Sequence, residues 1–507
     1  MCGQEGPFRV LELAADQQLV HGSPLRIGDR LVFVVHRVEP GDGVATFPNI
    51  RDPEVWSTGL CGESPVKLAD GSSDVFTIDQ WPDVLLACMQ ETGEIVSLDP
   101  LGVAEPHLVF AGVPDVFGCA LRWTDHGMLS VVPHDEDFGA LMLSPYPEDP
   151  RTQTAEPETL LDPVRITPTN VGGSGIVAHS IRTFAGSVLA LDAEDALVRV
   201  ELANRSVMTL REEVRAIEAS RDGRYLLWQD LGITGGKETF PEGQIFLRDL
   251  TSGGDALLGE TSLQYSIWAL WYAEHGIVQL ARSFLGDEPK KIFFLPGLES
   301  IEVPSDLFLN TRLEDGRWVG GSSFESYYDL IDLKAGSSER LFPRPVQIAG
   351  FEDGGLVVFE AKRCCIDGHP HDEGPLWRVP YDGSPKKLGE RATRFTQKLA
   401  DGRFLSPVGI GSDWLGTLIV TDPSTREERR IDDRVGARSL GTRWGAEDGL
   451  ISYSVSDGER SGVYVARLPQ YARGGAFAGK SREGVVVDVV RDADGRPMPV
   501  PRELGGR

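Results

Sequence analysis

No apolar run in this chain approaches the ~18–20 residues that a helix needs to cross a bilayer, so the sequence contains no candidate membrane helix. Cysteine is scarce, with six in 507 residues and no Cys-x-x-Cys spacing, which rules out a disulfide-framework fold. Beyond Cys2, the five others (Cys61, Cys88, Cys119, Cys364 and Cys365) leave room for one or two bridges in an oxidising compartment. Positive charge is short as well. Lys and Arg number 50 against 77 Asp and Glu, a net charge of −27 and a pI near 4.8. Such a surface repels phosphate backbones and anionic lipid, so no nucleic-acid partner is expected. It favours solubility, and it can attract a cationic partner or Ca²⁺. Sustained helical periodicity is missing too. Only residues 212–219 could wind into two turns, and the expected helix content is below ~10%.

What the chain has in quantity is turns: 58 glycines and 33 prolines bound many short apolar stretches. Ten of these stretches follow one plan. A turn, often Asp-Gly or His-Gly, leads into a strand, then a second turn and a second strand, and usually a third. The leading strands lie at 31–35, 84–87, 128–131, 188–191, 225–228, 277–280, 317–319, 356–359, 403–405 and 450–453. Followers include 94–98, 244–247, 291–294, 417–420 and 463–466, and closing strands include 107–109, 207–210, 340–342 and 430–431. A four-strand unit every ~40–50 residues is the mark of a β-propeller. The expected fold is therefore all-β, a single large propeller of about ten four-stranded blades over 8–470, or about seven or eight with long loop insertions.

The ends complete this reading. Residues 8–13 form a strand with no partner before them, while the tenth unit lacks a closing strand directly after Leu468-Pro469. Placing the N-terminal strand in the last blade closes the fold and removes an open sheet edge. Residues 471–507 turn rich in Arg and Gly and are expected to be a tail, partly disordered, with one further hairpin near 485–490.

Two segments carry a resemblance. Ser220-Arg221-Asp222-Gly223-Arg224-Tyr225-Leu226-Leu227-Trp228 resembles the Ser-Pro-Asp-Gly-x-x-Leu-x-Phe/Trp stretch of TolB-type, WD-like propeller repeats, with Arg221 in place of Pro. Gly374-Pro375-Leu376-Trp377-Arg378-Val379-Pro380-Tyr381-Asp382-Gly383 is similar to the segment that follows it in that class. The resemblance implies an exported scaffold that binds proteins or small ligands through its faces. Met1-Cys2-Gly3 also looks like the mature start of a bacterial lipoprotein. Residues 1–7 are accordingly read as a tether with Cys2 as its lipidation site, which would place the fold in the periplasm or on the outer surface, touching a membrane only through that anchor. The alternative is a cytoplasmic protein with a free Cys2.

Candidate chemistry is sparse. Cys364, Cys365, His369, His371 and Asp372, with Asp367 and Glu373 beside them, gather thiol, imidazole and carboxylate donors that suit Zn²⁺ or Cu. The spacing is no established zinc pattern, and a turn with a vicinal or long-range disulfide is the competing reading. His134-Asp135-Glu136-Asp137 offers carboxylates for Ca²⁺ but lacks the EF-type loop, which favours a solvated hairpin tip. Gly172-Gly173-Ser174-Gly175 and Gly409-Ile410-Gly411-Ser412 match neither a dinucleotide fingerprint nor a nucleophile elbow. Tyr265-Ser266-Ile267-Trp268-Ala269-Leu270-Trp271-Tyr272 reads as packing between blades or as a sugar-binding face. Zn or Ca aside, no cofactor is expected. The function expected is a non-enzymatic envelope module that holds a protein partner. The alternative is a propeller enzyme, a carbohydrate lyase or hydrolase with its site at the channel mouth. The oligomeric state stays open.

Overall fold

In a computed structural model, residues 7–14, 17–19, 25–37, 51–60, 62–89, 91–111, 122–135, 138–165, 181–184, 186–220, 224–230, 243–261, 275–280, 289–304, 307–322, 327–352, 354–361, 373–399, 401–411, 414–437 and 450–468 are described. Among them the chain is all-β. Helical structure among the described residues is confined to 3-10 turns, one of them at Gly458–Arg460, and no helix is long and apolar enough to cross a membrane. Residues 212–219, the best helical candidate by sequence, contribute the strand Val214–Ala219 instead. Its Val214 is buried, and pairing with the strand Tyr225–Asp230 outweighs weak local propensity.

Within each sheet most strands pair antiparallel with their sequence neighbours; Gln17–Leu19 instead pairs with Arg30–Arg37 across Leu25–Ile27. The first sheet holds Gln17–Leu19, Leu25–Ile27, Arg30–Arg37, Arg51–Gly59 and Val66–Asp70, and the second Ser72–Ile78, Trp81–Met89, Ile95–Leu98 and His107–Phe110. The third runs through Arg122–Thr124, Gly127–Pro133, Phe138–Pro145 and Glu158–Arg165, and the fourth through Ile181–Phe184, Ser187–Leu191, Leu197–Glu201 and Val207–Arg211. The fifth is Val214–Ala219, Tyr225–Asp230, Gly243–Asp249 and Asp255–Thr261, and the sixth has three strands, Ile277–Leu280, Lys290–Phe294 and Glu299–Val303. The seventh is Leu307–Arg312, Trp318–Ser322, Tyr327–Asp332 and Ser337–Arg340, and the eighth Val346–Glu352, Gly355–Glu360, Glu373–Pro380 and Lys386–Thr393. A seven-stranded ninth sheet joins Gln397–Lys398, Phe404–Val408, Leu415–Thr421 and Glu428–Gly436 to Leu450–Val455, Gly462–Arg467 and Phe8–Glu12. All ten expected leading strands are present. The closing strand expected at 340–342 ends at Arg340, and Phe342 instead turns into the core beside Trp377, with ring centroids 5.4 Å apart.

Two compact units divide these sheets: one carries the first, second, seventh, eighth and ninth, the other the third to the sixth. Within each unit, apolar side chains of one sheet meet those of the next. Val188, Val198 and Val200 of the fourth sheet meet Leu141, Leu143 and Val164 of the third, while Leu189 and Leu191 meet Leu226 and Trp228 of the fifth. In the other unit, Val32, Val34 and Val55 of the first sheet meet Leu85, Ala87 and Val96 of the second. Alternation along a strand sends successive side chains to opposite faces, so one strand serves two cores.

Two turn chemistries set the strands up. Before a leading strand, glycines adopt positive φ at Gly127, Gly186, Gly276, Gly316, Gly354 and Gly402. In Asp315-Gly316-Arg317 and Asp401-Gly402-Arg403 the Asp carboxylate accepts the backbone N–H of the Arg, at 2.9 and 3.1 Å, and its Nε–H, at 2.7 Å in both. At the other end of the unit, Asp99, Asp249, Asp332 and Asp422 each close a turn by accepting backbone N–H groups two or more residues ahead. Hydrogen bonds from Thr251 and Arg224 hold the Asp249 carboxyl down at about 2.

The strand Phe8–Glu12 pairs with Gly462–Arg467, matching Phe8 to Val465 and Arg9 to Tyr464. Its Val10 and Leu11, with Leu13, share a core with Val463, Val465 and with Leu31, Phe33 and Val35 of the first sheet. The N-terminal strand therefore stands where the sequence placed it. Leu450–Val455 meets Glu428–Gly436 through a single residue pair, Val435 with Val455. Side chains reinforce that seam: the buried Tyr453 hydroxyl donates to Asp432 at 3.0 Å, and Arg460 donates to the same carboxylate. Burial, reinforced by Asp432, pushes the Tyr453 phenol far up, so it stays a donor at any physiological pH. Leu11→Ala should lower stability by about 2–4 kcal/mol, whereas Arg9→Ala, which removes an exposed ion pair to Glu12, should cost under about 1 kcal/mol. Urea unfolding of the two variants measures this, and equal losses would show that the strand is not packed as described.

Candidate functional site

Long connections are where a meander fold can carry function, because the strands at their bases are fixed. The connection 362–372 holds Cys364, Cys365, His369, His371 and Asp372, all of which lie outside the described residues, as do Cys2, residues 172–175, residues 265–272 and the tail 471–507. The site is therefore built from the strands that enter and leave this connection.

Glu360 ends the strand before it, and one carboxylate oxygen accepts from Arg344 Nη1 at 2.7 Å. The other oxygen is buried with no partner among the described residues. Glu373 begins the strand after it and faces the ninth sheet. Arg391 Nε donates to Glu373 Oε1 at 2.5 Å and Arg391 Nη2 to Oε2 at 3.3 Å. The backbone N–H of Gly409 donates to Oε2 at 2.6 Å. Gly409 can aim that N–H because it sits at φ +60°, which glycine adopts without strain. Burial would push the Glu373 carboxyl up, but the Arg391 hydrogen bonds, the Gly409 amide and the Arg391 charge outweigh it and hold the pKa below the usual value. The same contact raises Arg391. Glu428 adds to this brace, accepting the backbone N–H groups of Glu390 and Arg391 at 2.7 and 3.0 Å.

Beside the brace lies an aromatic cluster. Phe395 and Trp414 meet edge to face at 6.2 Å, and the Arg394 guanidinium stands 4.8 Å from the first ring centre and 5.5 Å from the second. Trp414 takes φ +61°, an unusual conformation for a bulky residue, fixed by turn hydrogen bonds from its N–H to the Gly411 carbonyl and from the Ala437 N–H to its own carbonyl. Nothing in the order of residues announces this conformation, and Gly409-Ile410-Gly411-Ser412 stands out by sequence only as a glycine-rich stretch that fits no phosphate-binding or nucleophile motif. The Glu373–Arg391 pair was equally hidden, because it joins two strands across a turn.

The other carboxylate cluster divides. Asp135 caps its own hairpin, accepting the Phe138 N–H at 2.8 Å, and His134 Nε2 lies 2.8 Å from Asp162 Oδ1, while Glu136 and Asp137 fall outside the described residues. No cluster of three or more metal-ligating side chains occurs among the described residues. Cys88, fully buried in the second sheet, is disulfide-bonded, and every other cysteine lies outside the described residues.

No family model matches the chain, and no curated protein matches it. Among solved structures it is similar to TolB from Acinetobacter baumannii, at 13% identity over 62% of this chain and 79% of that one, with a TM-score of 0.22. An oligogalacturonate lyase in complex with manganese is 11% identical over 66% of this chain and 83% of that one, with a TM-score of 0.25. A puromycin-hydrolysing peptidase of Mycobacterium tuberculosis is 11% identical over 80% of this chain and 61% of that one, with a TM-score of 0.28. Scores this low leave the activity to be argued from the chain's own geometry.

Arg391→Ala should cost about 1 kcal/mol at neutral pH, a modest figure because the guanidinium is partly exposed. The depressed Glu373 pKa contributes stability that is present above the unfolded carboxyl value and lost as pH falls through the folded one. The gap between wild type and variant should therefore narrow between pH 7 and pH values below about 4. Thermal unfolding across that range measures it, and a gap that widens on acidification would contradict the assignment.

Proposed function

We propose that these meander sheets are the blades of a β-propeller, latched by the strand Phe8–Glu12, and that the protein is a non-enzymatic module holding a protein partner on its strand-end loops. The observation that carries the reading is the brace under loop 362–372. Glu373 binds Arg391 of its own sheet and the Gly409 amide of the next one, so the strand that follows the connection starts from a base fixed in two sheets. A loop on a rigid base meets a partner with less ordering to lose.

The rival reading is a lyase or hydrolase with its site at the channel mouth, where a general acid or base would be poised near neutral pH. Glu373 is the reverse, a carboxylate held ionised with both oxygens engaged. The disulfide at Cys88 supports an oxidising compartment, in keeping with a periplasmic or surface location and lipidation at Cys2. Cys364, Cys365, His369, His371 and Asp372 give the loop donors for Zn²⁺, a property that elemental analysis of the purified protein tests directly.

The partner reading is tested by replacing 362–372 with a Gly-Ser linker and comparing recovery of bound proteins from the source organism's envelope extract. A partner retained by wild type and lost by the variant, at unchanged melting temperature, is the expected outcome. Equal recovery by both would remove the loop from the binding surface, and no recovery by either would remove the binding function.

A further inference from the structure

Arg30 breaks a local rule. Arg317 and Arg403, at the same place in their sheets, take the carboxylate two residues before them. In Gly28-Asp29-Arg30 the order is exchanged, and Gly28 stands two residues before the Arg where those turns have Asp. Arg30 is buried and forms no ion pair among the described residues; its Nε donates to Ser57 Oγ at 3.0 Å and its Nη2 to the Ser64 carbonyl at 3.1 Å. Ser57 Oγ in turn donates to the Pro100 carbonyl at 2.6 Å, which ties the first sheet to the turn 99–104 of the second.

That turn is fixed from within as well. The Asp99 carboxylate accepts the N–H groups of Leu101, Val103 and Ala104, each at 3.0 Å, and the Gly102 N–H donates to the Asp99 carbonyl at 2.8 Å. Gly102 sits at φ +66° over Val66, and a Cβ there would fall 2.7 Å from Val66 Cγ2. Raised on this support, Leu101 and Val103 are 60% and 84% exposed, the two most exposed large apolar side chains among the described residues. A turn with this many internal bonds has no need of two solvated aliphatic groups for its own folding. Glu105, exposed, stands in the turn's own segment, while Lys67, in the strand that carries Val66, is taken up by Asp70 at 2.9 Å and Glu54 at 3.6 Å.

We infer that Leu101 and Val103 form a preorganised docking knob for a basic, amphipathic segment of a partner protein. The segment's aliphatic face covers the knob, and a Lys or Arg side chain meets Glu105. The charge of the whole chain, −27, steers such a segment inward. Holding the knob rigid before binding lowers the ordering cost that flexible aliphatic groups would add. This surface is independent of loop 362–372. It lies in the second sheet, at the opposite end of the strand Ile95–Leu98 from the connection that enters it.

The test uses the full chain and a short synthetic amphipathic lysine–leucine peptide. A photo-crosslinking residue at position 103 is compared with one at Met208, which is exposed in the fourth sheet. Crosslinking from 103 and not from 208 is expected. Affinity should fall at least about tenfold in Leu101→Ser/Val103→Ser, and also with added salt. Ser57→Ala should weaken binding severalfold with both aliphatic side chains intact. Equal crosslinking from both positions, or unchanged affinity in the double variant, overturns the inference. Unchanged affinity in Ser57→Ala overturns the role given to the Arg30–Ser57–Pro100 link. A homodimer in sedimentation that the double variant abolishes also overturns it, because the knob would then mate with a second copy of this chain.

Discussion

A small antiparallel sheet with apolar residues on both faces has to bury both, and that requirement organises this protein. Val32 and Val34 send one face of the first sheet against the second, while Leu31, Phe33 and Val35 send the other against the strands that hold Val463 and Val465. At roughly 25 cal/mol per Å² of buried apolar surface, each such face is worth several kcal/mol. A sheet missing one neighbour would lose that and would also expose a strand edge. The N-terminal strand answers both demands, since it fills the edge of Gly462–Arg467 and adds Val10 and Leu11 to the shared core. The one-pair seam between Glu428–Gly436 and Leu450–Val455 survives because the buried Tyr453 and Asp432, with the exposed Arg460, replace the missing backbone ladder with a hydrogen-bonded cluster.

Around this hydrophobic frame, charge does mostly local work. Asp315 and Asp401 organise the turns ahead of their strands, and Asp99, Asp249, Asp332 and Asp422 close the turns behind theirs. A net charge of −27 thus does not imply a sea of unpaired carboxylates, since many are consumed by backbone N–H groups. The departures from this pattern are the informative places. Arg30 without its aspartate links two sheets under an exposed aliphatic turn, and Glu373, bound across a sheet boundary, braces a donor-rich loop.

The fold was legible because strand alternation and glycine turns are local signals. Each leading strand, from 31–35 to 450–453, announced itself by a run of apolar residues after a turn. The N-terminal strand was legible by arithmetic, as a strand without a partner and a unit without a closing strand. Short strands at the periphery were harder: 340–342 was misplaced because Leu341 and Phe342 look like strand residues while their burial comes from a turn against Trp377. The site was barely legible. Glu373 and Arg391 are separated by a turn and a bulged pairing, and the left-handed Trp414 has no signature in composition or period. Cys364 to Asp372 stood out by residue type alone, and residue type fixes neither geometry nor ligand.

The account turns on the N-terminal strand completing the last sheet. Cysteines introduced at Arg9 and Tyr464, directly opposed across that pairing, test it most directly when the other cysteines are left unchanged and the new bridge is located by peptide mapping. The expected result is a 9–464 disulfide formed on oxidation, with a melting temperature at or above that of the reduced variant. Failure of these two positions to crosslink in the folded protein, or a crosslink that forms only on unfolding, would contradict the latch and the core that Val10 and Leu11 share with Val463 and Val465.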